Sequence, residues 1–126
     1  MNDLTPVQVA IVAALRTAPA TYPVYDGVPQ GVLRPYFVIG EITADPDEDL
    51  ATATTDASIN LHTWSATSDK GQTYTMLQFA RARLEGQVLG GAWSVTEDFN
   101  EVMEDPASTA SARLYHGIAR YRARVG

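Results

Sequence analysis

The sequence predicts an α+β domain in which two helices pack on one face of an antiparallel sheet of about four strands, two of them forming a long β-hairpin. Two segments carry apolar residues at helical spacing. Four others are rich in β-branched and aromatic residues or alternate strictly between apolar and polar side chains. These segments follow one another as helix, strands, helix, strands, and 126 residues suit one domain spanning 1–126.

The first helix is expected over residues 5–17. Thr5, with Pro6 next and Gln8 three positions on, reads as a capping box with proline where its missing N–H costs nothing. Val7, Ala10, Ile11, Ala14 and Leu15 then form one stripe, and Pro19 and Pro23 stop the helix soon after Ala18. Val9 and Val12 lie off the stripe, which is either wide or provided with a second apolar contact. The turn formers Asp26, Gly27, Pro29, Gln30 and Gly31 mark a loop.

Tyr36 to Thr43 reads as a strand. So does Thr55 to Ser65, with Ala57, Ile59 and Leu61 on one face and Ser58, Asn60, His62 and Trp64 on the other. Between them Ala44 to Thr54 holds Asp45, Pro46, Asp47, Glu48 and Asp49, too long and too acidic for a tight turn. The expectation is a long hairpin with a projecting tip.

Asp69, with Gln72 three positions on, is placed to cap a second helix in which Met76, Leu77, Ala80, Leu84 and Val88 gather on one side and Gly86 or Gly90 makes the end. Phe79 points away from that stripe, without an obvious place in the core. Trp93 to Met103 and Leu114 to Val125 complete the strands, around a polar loop containing Pro106.

Composition narrows the function. With 45% hydrophobic and 19% charged residues the chain should fold, and no apolar run approaches the length of a membrane span. The N-terminal residues lack the pattern of a signal peptide, so neither export nor membrane insertion is expected. The absence of cysteine removes disulfides, thiolate nucleophiles and cysteine metal sites. A net charge of −6 argues against a protein built to grip nucleic acid, because such affinity comes from neutralising phosphates.

Catalytic patterns are lacking. The two histidines, His62 and His116, alternate into strands and read as surface or partly buried residues. Gly90 and Gly91 precede no phosphate-loop Lys, and there is no nucleophile elbow. Asp45, Asp47 and Asp49 have the alternate spacing of calcium loops without the central glycine and terminal glutamate. No catalytic residue, metal or cofactor is therefore expected. Arg120, Arg122 and Arg124 repeat at period two and share one strand face. They either pair across the sheet with Glu97, Glu101 or Glu104, or meet an acidic surface on another chain.

Several blocks resemble a known family. Val24-Tyr25-Asp26-Gly27-Val28-Pro29-Gln30-Gly31, Pro35-Tyr36-Phe37-Val38-Ile39-Gly40-Glu41, Leu61-His62-Thr63-Trp64-Ser65 and His116-Gly117-Ile118-Ala119-Arg120-Tyr121-Arg122-Ala123 are similar to the bacteriophage tail-completion proteins, also called tail terminators or tail-to-head joining proteins. The resemblance covers nearly the whole chain. It implies a non-enzymatic virion subunit, assembled in the host bacterial cytoplasm, that forms a homohexameric ring at the head-proximal end of the tail. Its partners would be the tail tube protein and the head connector or stopper, with double-stranded DNA only as passing cargo.

The surfaces expected to make contacts are the acidic Asp45, Asp47, Glu48 and Asp49, the spare apolar Val9, Val12 and Phe79, and the Arg120, Arg122 and Arg124 stripe. A hairpin arm of about ten residues spans roughly 33 Å, enough to bridge subunits of ~14 Å radius of gyration. The alternatives are a neighbouring stopper or tail-tube ring protein and, in another class, a small ligand-binding or enzymatic α+β domain.

Overall fold

The computed structural model describes residues 4–17, 21–27, 31–46, 55–67, 69–105 and 114–125. Its elements run α1 (Thr5–Arg16), β1 (Val24–Tyr25), β2 (Tyr36–Pro46), β3 (Thr55–Trp64), α2 (Gly71–Leu84), β4 (Val88–Leu89), β5 (Trp93–Glu104) and β6 (Tyr115–Val125). The class is α+β as expected, but the sheet has six strands in the order β1-β2-β3-β6-β5-β4. It is also mixed, because β1 runs parallel to β2 while the remaining pairs are antiparallel. The expectation of four antiparallel strands missed β1 and β4, two-residue strands too short to show a period.

Both helices start one residue away from their expected caps. Leu4 occupies the cap position of α1 without a side-chain cap, which puts Thr5 inside the helix beside Pro6. Lys70 occupies that of α2, while Asp69 accepts a hydrogen bond from the Gly71 N–H at 2.8 Å and Gln72 Oε1 accepts one from the Ala66 N–H at 2.6 Å. These contacts order the chain entering α2 in place of a side-chain cap. α2 stops at Leu84, so Val88 lies in β4 and not on the helix stripe; Gly90 and Gly91, at φ +58° and +76°, make the tight turn from β4 to β5.

The core lies between the sheet and the two helices. Val7, Ile11 and Leu15 from α1 and Met76, Leu77, Ala80 and Leu84 from α2 meet Phe37, Ile39, Ala57, Ile59, Leu61, Ala119, Tyr121 and Ala123 of the sheet. Deleting a fully buried leucine such as Leu61 or Leu84 would cost about 2–5 kcal/mol. The helices also hold each other: Arg83 of α2 donates to the carbonyls of Ala14 and Thr17, at 3.4 and 2.5 Å, where α1 ends. The sheet curls so that α1 touches both edge strands, β1 and β4.

Phe79 does have a place in this arrangement. Its ring packs against Phe37 at 6.0 Å and meets Tyr22 edge-on at 5.3 Å, with the Arg83 guanidinium over it at 4.3 Å. The segment between α1 and β1 brings Tyr22 over this side of α2, a contact that helical periodicity cannot register.

β2 and β3 pair from Tyr36↔Trp64 to Pro46↔Thr55. Asp45 is thus a strand residue in register with Asp56, and β2 runs three residues beyond Thr43. Asp47, Glu48 and Asp49 lie outside the described residues.

Candidate functional site

Both helices cover one face of the sheet, which leaves the opposite face to be built by every second strand residue. Two regions follow from which side chains point there. Near the Thr55 end of β3 the face is charged, and near the Trp64 end it is aromatic.

In the charged region Arg120, Arg122 and Arg124 are exposed while Ala119, Tyr121 and Ala123, alternating with them, are buried, the period-two separation expected of β6. Their carboxylate partners are Asp98 and Asp56 instead of the expected Glu97, Glu101 or Glu104. Arg120 grips Asp98 through two hydrogen bonds of 3.2 and 3.1 Å, and Arg122 approaches the same carboxylate at 3.4 Å. Arg124 grips Asp56 of β3 at 2.8 and 3.1 Å. Hydrogen bonds from Arg120 and Arg124 hold the Asp98 and Asp56 carboxyls, respectively, below the usual aspartate value.

A bulge selects these partners. Glu97 opposes Tyr121 and Phe99 opposes Arg120, leaving Asp98 as the extra residue between them. Glu97, in step with the buried Trp93 and Val95, lies on the helix side, where it meets Arg81 of α2 at 3.5 Å, and the shift brings Phe99 to the arginine side, 5.4 Å from the Arg120 guanidinium. Perfect alternation would have kept Phe99 on the helix side.

In the aromatic region His62 Nδ1 and His116 Nε2 lie 2.8 Å apart, sharing one hydrogen bond between β3 and β6. Trp64 stacks on His116 with ring centroids 3.9 Å apart, and the Arg34 guanidinium lies 5.1 Å from the Trp64 ring centre. Arg34 in turn pairs with Asp105, itself only 4% exposed, at 2.7 Å. Burial and the neighbouring His62 lower the His116 pKa to about 4, with Asp105 opposing. Burial likewise lowers that of His62, against the pull of Glu41. Both rings are neutral at pH 7, so one donates and the other accepts. Sequence reading missed this cluster, although His62, Trp64 and His116 share a parity on strands that prove adjacent.

Tyr36, Val38, Gly40, Glu41, His62 and Trp64 line an open groove of about 510 Å³ on this face. On the other side of the molecule, α1 presents Val9, 61% exposed, with Val12 partly packed on the core and Ala13 exposed beside it. Val9 also borders a hollow of about 710 Å³ between α1 and β4, where Val88 is 62% exposed. Among the described residues no group of three or more acidic or histidine side chains could hold a metal, and no helix is long and apolar enough to cross a membrane.

A family model for tail completion protein gp17 matches residues 9–126. The chain belongs to the tail completion protein gp17 family. It is accordingly a phage tail structural protein, and the resemblance read from its blocks holds. Among solved structures, a chain of the "virion of native gene transfer agent (GTA) particle" shares this fold with a TM-score of 0.77. The two are 19% identical over 94% of this chain and 93% of that one. No curated protein matches the chain.

Proposed function

We propose that this chain acts as one domain in a hexameric ring that caps the head-proximal end of a long phage tail tube, ends tube polymerisation and presents the surface to which the head connector docks. The observation that carries this reading is the family match across residues 9–126. The sheet face opposite the helices, with its charged and aromatic regions, and the exposed apolar ridge of α1 support it by supplying surface for several contacts at once. The likeness to a chain of a gene transfer agent virion is in keeping with a particle role.

Termination requires only occupancy. A ring seated on the tube end buries the surface on which the next tube ring would stack, and its outer side must then match the connector and not the tube. The partners are copies of the chain itself, the tail tube protein and the connector or stopper, while DNA passes through as cargo. No turnover chemistry is involved.

Deleting the gene should give filled heads beside unjoined tails of irregular or excessive length. Joined particles with tails of normal length in the deletion strain would refute the proposal. Unjoined heads beside tails of correct, fixed length would move the protein to the head-side stopper position.

A further inference from the structure

We infer that successive copies pack front to back, the α1 ridge of Val9, Val12, Ala13 and Arg16 seating on the outer sheet groove of the next copy beside Val38 and Trp64. The inference rests on the ring reading and names the surfaces that build it.

A helix and a sheet each need cover on the apolar side, and among the described residues each of these elements has a second apolar side left without it. On α1, the stripe Val7, Ala10, Ile11 and Leu15 is spent on the core, whereas Val9, Ala13 and Arg16 stand exposed along the opposite side with Val12 half-buried beside them. Positions 9, 12, 13 and 16 follow the i, i+3, i+4, i+7 spacing of a helix face that packs on something. On the sheet, Tyr36, Val38, His62 and Trp64 are each half-buried around an open groove with no helix over it among the described residues.

Charge agrees with this pairing. Arg16 closes the ridge at one end, and the exposed Glu41 is the acid of the groove lining. The alternative of joining copies edge to edge meets like charges. Beyond the two-residue edge strands β1 and β4, β2 carries the exposed Glu41 and β5 the exposed Glu101 and Glu104, while bulges interrupt both strands. Charged, bulged edges resist strand addition, so the contact between copies falls to faces.

Geometry sets the symmetry. The ridge lies on the helix side of the sheet and the groove on the other, so a copy cannot use one patch twice. Contact between them is head-to-tail, which closes into a ring when the rotation per step divides the circle.

The chain has no cysteine, which makes the test direct. Val9→Cys and Val38→Cys would be introduced together and singly, and treated with a short bismaleimide, in solution and on purified tail tubes. The double variant should give a ladder of covalent oligomers ending at the ring, and neither single variant should. Val9→Asp, at an exposed position, should leave the melting temperature nearly unchanged. Loss of one valine's burial should raise the concentration at half-assembly about tenfold or more. Trp64 emission should shift on assembly, while Trp93, 8% exposed within the chain, stays constant.

Oligomers that form without cross-links, with Val9→Asp assembling like the parent, would overturn the inference and leave the ring standing. A ladder without closure would uphold the contact and overturn the closed ring. A parent chain that stays monomeric in solution and on tubes would overturn both. A Val9→Asp protein that makes rings but no longer binds tubes would assign the ridge to the tube protein and refute self-contact.

Discussion

Acid should weaken this fold through its histidine pair before the paired aspartates respond. His116 is 8% exposed, hydrogen-bonded to His62, stacked on Trp64 and faced by Asp105 and Arg34, with Glu41 acting on His62. Its pKa falls from 6.5 to about 4, so the folded state resists a proton that the unfolded chain accepts. The stabilisation from keeping the ring neutral is complete above the unfolded value of 6.5 and is lost as pH falls from there toward 4. At 1.36 kcal/mol per pH unit the loss has a ceiling of about 3 kcal/mol, and with water screening at the open sheet face about 2 kcal/mol is expected.

A first proton leaves the N–H···N bond between the rings intact, but a second sets two N–H groups face to face and breaks it. The assay is urea unfolding of the parent and His116→Gln at steps from pH 7 to 4 and on below 3.8. The parent should lose about 2 kcal/mol more than the variant over that range. Parallel stability curves would refute the reasoning. Loss confined below pH 3.8 would transfer it to Asp56 and Asp98, whose lowered values place their contribution above 3.8 and its decline below.

Three further outcomes are expected. Gly117→Ala should cost about 2–3 kcal/mol in denaturant unfolding, because the added methyl would sit 2.5 Å from Thr63 Oγ1 and 2.9 Å from Thr73 Cγ2; an unchanged midpoint would contradict the close approach of α2 to β6. Tyr121→Phe should leave stability within about 1 kcal/mol of the parent or raise it, since the buried hydroxyl has no hydrogen-bond partner among the described residues; a loss well beyond that would show a partner for it. Arg122→Glu should shift unfolding by no more than about 1 kcal/mol, as its pairing with Asp98 is exposed, while weakening assembly measured by light scattering; equal loss of both would confine the stripe to pairing within the chain.

Periodicity is a local property, and the features that depend on it were legible in the sequence. The buried stripe of α1, the alternation of Ala57, Ile59 and Leu61 against His62 and Trp64, and the separation of Arg120, Arg122 and Arg124 from Tyr121 and Ala123 all follow from where successive side chains point. So does the α+β class. The spare position of Val9 was legible for the same reason, because an apolar residue off the stripe has nowhere to go within its own helix.

Register, bulges and strand order are set by contacts between residues far apart in the chain, and no local pattern encodes them. A single extra residue at Asp98 gave the arginine stripe its partner and turned Phe99 outward beside Arg120. The adjacency of β3 and β6 brought His62 to His116 across fifty-four positions of sequence. β1 and β4 form because the curled sheet and α1 offer them something to pair with and pack on, and Phe79 found Tyr22 and Phe37 for the same reason. The residue types and their faces were determined by the sequence alone. Which charged and aromatic groups meet was decided only when the tertiary fold placed one strand against another.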